Sequence, residues 1–357
     1  MTGAPEASWL ERLARPEIRA LKAYEHAVWE PGLVRLHANE LPWRIEGDPS
    51  VAGLNRYPEP HPHELTAALA RHYGVPAQML LAGRGSDEAI DLLVRAYCRA
   101  GQDSVVICPP TFGMYGVAAR IQGAAVIEVP LLRDADYALD EAALLAHCTD
   151  TVKLVFLCSP NNPTGNLLAA PAILRVAAAL TGRALVIVDE AYLEFSGVES
   201  LLAHIARLPG LVVLRTLSKA HGLAGARCGS LIADAHIVAL LRKVIQPYAV
   251  TQLTIEAVFR MLEPPALAAA AARVATIRGE RERLATALRG NTAVLKVWPS
   301  AANFLLVEWR DPAAALAHAH AAGMLVRDLR AQRGLEHAVR ISVGTPDQND
   351  RLLASLA

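Results

Sequence analysis

Arg215-Thr216-Leu217-Ser218-Lys219-Ala220-His221-Gly222-Leu223-Ala224-Gly225-Ala226-Arg227 is the segment from which the whole sequence reads outward. It follows an apolar run, Leu211 to Leu214, with the character of a buried strand. Past that strand the chain turns to hydroxyls, one lysine and glycines, which fill a core badly and build a site well. Thr216, Ser218 and Arg227 stand close enough in sequence to hold an anion beside Lys219. A lysine next to an anion site is either a phosphate ligand or a Schiff-base nucleophile. The first reading needs Gly-x-x-x-x-Gly before a Lys-Ser/Thr pair. Residues 211 to 217 contain no glycine and the order is Ser-Lys, which argues against a P-loop. A lone Ser-Lys pair is usually a solvated surface feature, so the neighbours carry the argument.

Upstream of this segment, strands and helices alternate: strands at 79–82, 104–108, 125–129, 153–158 and 184–188, with helices between them. A further strand is expected at 228–233. Apolar strands alternating with helices imply a mostly parallel sheet covered on both faces. Ligands of such sheets bind at the carboxyl ends of the strands. After 153–158 comes Ser159-Pro160-Asn161-Asn162-Pro163-Thr164-Gly165; after 184–188 comes Asp189-Glu190-Ala191-Tyr192. From Asn162 to Asp189 is 27 residues and from Asp189 to Lys219 is 30, each suiting one strand–helix unit. Taken singly, each is an ordinary turn, cap or core residue. Taken together, they bring an asparagine, an acid, a tyrosine and a lysine to one crevice. Gly83-Arg84-Gly85-Ser86-Asp87-Glu88 adds glycines before a helix N-terminus, where backbone N–H groups and the helix dipole favour a phosphate.

Bulk properties set the limits. The chain has 357 residues, enough for a large and a smaller domain, and 53% of them are hydrophobic. Lys+Arg and Asp+Glu balance at 35 each, which argues against a nucleic-acid partner held by phosphate neutralisation. Five scattered cysteines suit a reducing compartment. Neither a signal peptide nor an apolar run of the ~20 residues that a membrane span needs is seen, so a soluble cytoplasmic protein is expected. Residues 1–30 read as a helical N-terminal arm, 31–250 as the large domain and 251–357 as the small C-terminal domain. A long, alanine-rich helical stretch is expected from about Val250 to Gly290, and strand–helix–strand–helix over 291–357.

The converging set is what pyridoxal 5'-phosphate demands: a lysine for its Schiff base, an acid beside the pyridine nitrogen and an anion site. A carboxylate next to that nitrogen keeps it protonated. Asn162 and Tyr192 are then placed to hydrogen-bond the ring's phenolic oxygen.

Asn162-Pro163-Thr164-Gly165, Asp189-Glu190-Ala191-Tyr192 and Ser218-Lys219 with Arg227 resemble the fold-type I aminotransferases. More narrowly, Asn55-Arg56-Tyr57-Pro58, the 83–88 loop, Cys108-Pro109-Pro110-Thr111-Phe112-Gly113-Met114-Tyr115 and Arg340-Ile341-Ser342-Val343-Gly344-Thr345 resemble the histidinol-phosphate aminotransferase family. The resemblance runs from about Tyr24 to Thr345. It implies an α/β fold of a large domain, with a mostly parallel mixed sheet covered by helices, and a smaller α+β domain. It implies Lys219 as the covalent attachment point and proton carrier, and Asp189 on the ring nitrogen. Ser86 and Asp87, with Thr216, Ser218 and Arg227, take the cofactor phosphate, and Phe112 lies over the ring where a tyrosine is usual. Tyr57 is expected to reach the phosphate from the neighbouring subunit of a homodimer. Arg340 and Arg327 suit the carboxylate and phosphate of the substrates, histidinol phosphate and 2-oxoglutarate. Tyr24 and Asn39 are further substrate candidates. His37 and His221 depart from the family's usual asparagine and phenylalanine. His61-x-His63 and His318-x-His320 lack a completing ligand, so no metal is expected.

Overall fold

The computed structural model describes residues 8–26, 28, 30 and 32–356. Seven strands form the main sheet: β1 (Leu80–Gly83), β2 (Ser104–Ile107), β3 (Ala125–Glu128), β4 (Val152–Cys158), β5 (Leu185–Asp189), β6 (Leu211–Thr216) and β7 (Gly229–Ile232). Their spatial order is β1-β7-β6-β5-β4-β2-β3. Only β7 runs against its neighbours, pairing antiparallel with β1 and β6. The largely apolar character of the inner strands follows from burial on both faces, whereas the edge strand β3 is partly exposed. Val105, Ile107, Leu154, Phe156, Ile187, Val212 and Leu214 face one core, shared with helices Ser86–Tyr97, Met114–Gln122 and Ala235–Arg242. Val106, Val155, Leu157, Val186, Val188 and Val213 face the other, shared with helices His63–Tyr73 and Ala170–Ala179. From β2 the chain steps outward to β3, then returns to β4 and continues the opposite way through β5 and β6. The reversal between β2 and β4 opens a crevice at the carboxyl ends of the strands.

A second sheet, all antiparallel, has the order β10-β11-β9-β8, where β8 is Val294–Val297, β9 Phe304–Trp309, β10 Arg327–Asp328 and β11 Ala338–Ser342. One face packs with Leu284, Leu288 and Leu352 of helices Pro264–Arg289 and Pro346–Leu356. Leu306 and Ala338, with Trp298, Leu329 and Leu335, instead join the core of the main sheet. Arg133 adds a polar tie, donating to both carboxylate oxygens of Glu308 at 2.8 and 3.0 Å and to the carbonyl of Gly334 at 2.5 Å.

Four expectations need correction. The arm is not one helix: Trp9–Leu13 and Pro16–Ala20 are separate, and the described residues from Leu21 to His26 are not helical. Arg15 is held extended by the following proline, which ends the first helix. Residues 1–7, 27 and 29 of that expectation lie outside the described residues. The stretch 250–290 is two helices, Gln252–Met261 and Pro264–Arg289. Pro264 has no N–H to continue the first helix and is well suited to open the second. Between β5 and β6, where strand–helix alternation predicts a helix over 201–206, the chain makes a short 3-10 turn, Leu201–His204. The last 67 residues hold four strands rather than two, because β8 and β9 form a hairpin and β10 pairs with β11. Among the described residues no helix is long and apolar enough to cross a membrane. All five cysteines are buried and free.

Candidate active site

A cavity of about 540 Å³ opens where β2, β4, β5 and β6 end. Its floor is Asp189, the last residue of β5, opposite Cys158 of β4 and Leu214 of β6. Alternation along the strand sends Glu190 the other way, onto Arg215 at 3.2 Å. Asp189 is 3% exposed, accepts from the Tyr115 hydroxyl at 2.8 Å and from the Ala191 N–H at 3.1 Å, and has no cation within 4.0 Å among the described residues. Burial pushes its pKa up to about 6; the two hydrogen bonds oppose that shift.

Lys219 stands beyond β6 in a turn closed by Gly222 N–H to the Lys219 carbonyl, 3.2 Å, and Leu223 N–H to the Leu217 carbonyl, 3.0 Å. Its Nζ lies 5.5 Å from the centroid of the Tyr192 ring. The amine is depressed below its ordinary pKa, chiefly by desolvation and then by repulsion from Arg340. On the same wall Asn162 donates to the Tyr192 hydroxyl at 3.2 Å, and Arg340 donates to the Asn162 amide oxygen. Phe112, after β2, meets Tyr115 edge-on at 5.6 Å.

The opposite end is an anion cradle. Gly85, at φ +93°, leads into the helix Ser86–Tyr97, whose N-terminus has no side-chain cap. Gly229 of β7 lies so close that a Cβ there would stand 2.5 Å from the Gly85 carbonyl carbon. Thr216 donates to Ser218 at 3.0 Å, and the Arg227 guanidinium reaches Ser218 at 3.5 Å and Asp87 at 3.3 Å. These are free N–H groups, hydroxyls and one guanidinium around a helix start.

At the mouth, Arg327 of β10 is the direct register partner of Arg340 of β11. Asp328 is taken by Arg330 at 2.8 Å, not by Arg327. Like charges facing across a sheet are destabilising. Burial and Arg327 lower the pKa of Arg340, and the nearby Tyr192 works against this. Two facing guanidiniums have the charge and donors that suit an anion of two or more charges.

Ser86, Asp87, Phe112, Asn162, Asp189, Tyr192, Thr216, Ser218, Lys219, Arg227, Arg327 and Arg340 thus line one cavity. Tyr57, Tyr24 and Asn39 do not line it within a single chain: Tyr57 is half exposed and stacks on Tyr248 at 4.7 Å, Tyr24 is 73% exposed, and Asn39 is exposed with φ 58°. His37 contacts the Val28 carbonyl at 2.8 Å, and His221 is buried against His72. Tyr115, Cys158, Gly229 and Gln332 also belong to the site or its walls and carry little sign of it in the sequence. Tyr115 closes the quoted 108–115 motif, and that was the available signal; nothing local marks the others.

The cavity fits pyridoxal 5'-phosphate. A buried carboxylate without a cationic partner answers a protonated ring nitrogen, the Asn162–Tyr192 pair answers a phenolic oxygen, and the uncapped helix answers a phosphate. This chain belongs to the class I and II aminotransferases, whose family model matches residues 49–356. Within that family it is 50% identical over 348 residues to the histidinol-phosphate aminotransferase of Xylella fastidiosa (strain 9a5c), covering 96% of this chain and 95% of that one. The Stenotrophomonas maltophilia (strain R551-3) enzyme of the same name is 49% identical over 354 residues, 97% of this chain and 96% of that one. The structure of the Sinorhizobium meliloti histidinol-phosphate aminotransferase in complex with pyridoxal 5'-phosphate superposes with a TM-score of 0.77 at 26% identity, covering 84% of this chain and 82% of that one. The L-threonine-O-3-phosphate decarboxylase of Porphyromonas gingivalis superposes with a TM-score of 0.72 at 27% identity, over 84% and 92%.

Proposed function

We propose that this chain exchanges an amino group between L-glutamate/2-oxoglutarate and imidazole acetol phosphate/L-histidinol phosphate, in histidine biosynthesis, as a cytoplasmic homodimer. The observation that supports it best is the facing Arg327–Arg340 pair at the mouth of a cavity floored by Asp189 and Lys219. Two guanidiniums match a phosphate monoester, each bonding two oxygens. Arg340 alone serves the carboxylate of the dicarboxylic partner.

Pyridoxal phosphate supplies an electron-poor ring that takes up the electron pair released when a substrate Cα–H bond breaks. The protein's own groups do the rest. Asp189 keeps the ring nitrogen protonated, since an adjacent positive charge favours its anion. Asn162 and Tyr192 would hold the phenolic oxygen, and Phe112 would offer its ring face for stacking. Ser86, Asp87, Thr216, Ser218 and Arg227 hold the phosphate. Lys219, its pKa depressed by burial, takes the proton from Cα and redelivers it when the amino group has moved. Arg340 and Arg327 orient the substrate so that its Cα–H faces Nζ.

Both substrates use one site in turn, so double-reciprocal plots should be parallel. The deciding assay is turnover of histidinol phosphate with 2-oxoglutarate beside threonine phosphate. Glutamate formed from histidinol phosphate supports the proposal. Carbon dioxide released from threonine phosphate without 2-oxoglutarate would favour the decarboxylase reading, to which the structural likeness gives some weight.

A further inference from the structure

We propose that Tyr115 is a positioning residue for this chemistry, its phenol holding the Asp189 carboxylate in the orientation and ionic form that meet the cofactor's ring nitrogen. The inference rests on the reading of this cavity as a pyridoxal phosphate site. Tyr115 is the second residue of the helix Met114–Gln122, is 0% exposed, and donates to Asp189 Oδ2 at 2.8 Å. Its ring stacks on Phe156 of β4 at 4.9 Å and 7°, and meets Phe112 edge-on at 5.6 Å and 83°. A ring clamped between two others cannot swing its hydroxyl elsewhere. Oδ1 is taken by the Ala191 N–H, so each carboxylate oxygen has one donor and the plane of the group is set.

Four further groups bear on Asp189. The Cys158 thiol, its register partner, is neutral and pushed well above its ordinary pKa by burial. Asp87 disfavours the carboxylate's charge, and Lys219 favours it. Ala191 belongs to the backbone. The Tyr115 hydroxyl is therefore the one side-chain hydrogen-bond donor to the anion among the described residues. A hydrogen bond to the charged form of an acid favours that form. One side chain thus touches both the acid, through its hydroxyl, and Phe112, through its ring.

The test uses the holoenzyme. Tyr115→Phe keeps the ring, its stacking and its volume and removes one oxygen. A less firmly anionic Asp189 leaves the ring nitrogen less protonated and the ring less electron-withdrawing. The link to Lys219 then keeps its proton to higher pH. Spectrophotometric titration of the visible band should show its midpoint raised by about one pH unit, and cofactor binding should be about tenfold weaker. In an Asp189→Asn background the same change should add less than about twofold. In the parent protein, the ¹³Cζ resonance of Tyr115 should move when Asp189 is replaced by asparagine, a readout that does not depend on any variant at 115. An unchanged midpoint and dissociation constant in Tyr115→Phe, or an equal loss in the Asp189→Asn background, would overturn the inference and leave Tyr115 as packing. A parent enzyme with no visible band would sink the cofactor reading itself, and this inference with it.

Discussion

Asp189 carries an electrostatic conflict: a buried carboxyl with hydrogen bonds but no counter-ion within 4.0 Å among the described residues. Its folded-state pKa, about 6, exceeds the ordinary ~3.9, so the folded, cofactor-free protein binds the extra proton. Stability of that form should therefore fall as pH rises from about 4 to about 6, by up to roughly 3 kcal/mol from this group, and level off above. Denaturation of cofactor-free protein at pH 4.5 and pH 8, as working points of about those values, checks it against Asp189→Asn, which should remove this part of the slope. With cofactor bound the sign reverses, because a neighbouring pyridinium favours the anion. Lys219→Ala should lose the visible band of the bound cofactor and slow turnover by at least about 10²- to 10⁴-fold. An unchanged spectrum would show that another group makes the attachment.

The pairing of β10 with β11 puts two arginines side by side, and the proposed recognition of a phosphate monoester rests on that pairing rather than on either residue alone. Arg327→Ala should raise KM for histidinol phosphate by ten- to a hundredfold, on the order of 1.5–3 kcal/mol for a charged hydrogen bond, and leave KM for glutamate within about twofold. Steady-state kinetics with both substrates would reveal it; equal effects would mean that Arg327 does not select phosphate. In the inner strands of the main sheet the signal is legible because burial on both faces leaves apolar runs, as at 154–158 and 211–214. β10, two residues long and exposed on both, has no such signature. Alanine composition hid the break at Pro264, because a proline inside a helical pattern can either kink the helix or start another.

Across the whole chain, the segment between the arm and the first long helix stands out. Val34, Leu36, Trp43 and Val51 are each more than three-quarters exposed, alongside half-exposed Tyr57. Such a run on a single subunit suits a surface covered by another copy. On this reading Tyr57 completes the phosphate cradle of the neighbouring subunit. Mixing Lys219→Ala with Tyr57→Ala subunits should then restore activity above either homodimer, since one site of each mixed dimer is intact; no recovery would place Tyr57 in its own subunit. For the domain division we propose a boundary near the expected 250/251 step, moved past the helix Gln252–Met261, whose Ile255 and Val258 lie in the core of the main sheet.

From the residues in order one could read the sheet, the three loops at its rim and the chemistry of Asn162, Asp189 and Lys219, because periodicity and spacing are local properties of a chain. The donor to Asp189, the close approach of Gly229 to Gly85 and the facing of Arg327 with Arg340 could not be read that way. Each joins residues distant in sequence or depends on register and backbone distance, and neither exists until the strands have paired and the helices have packed.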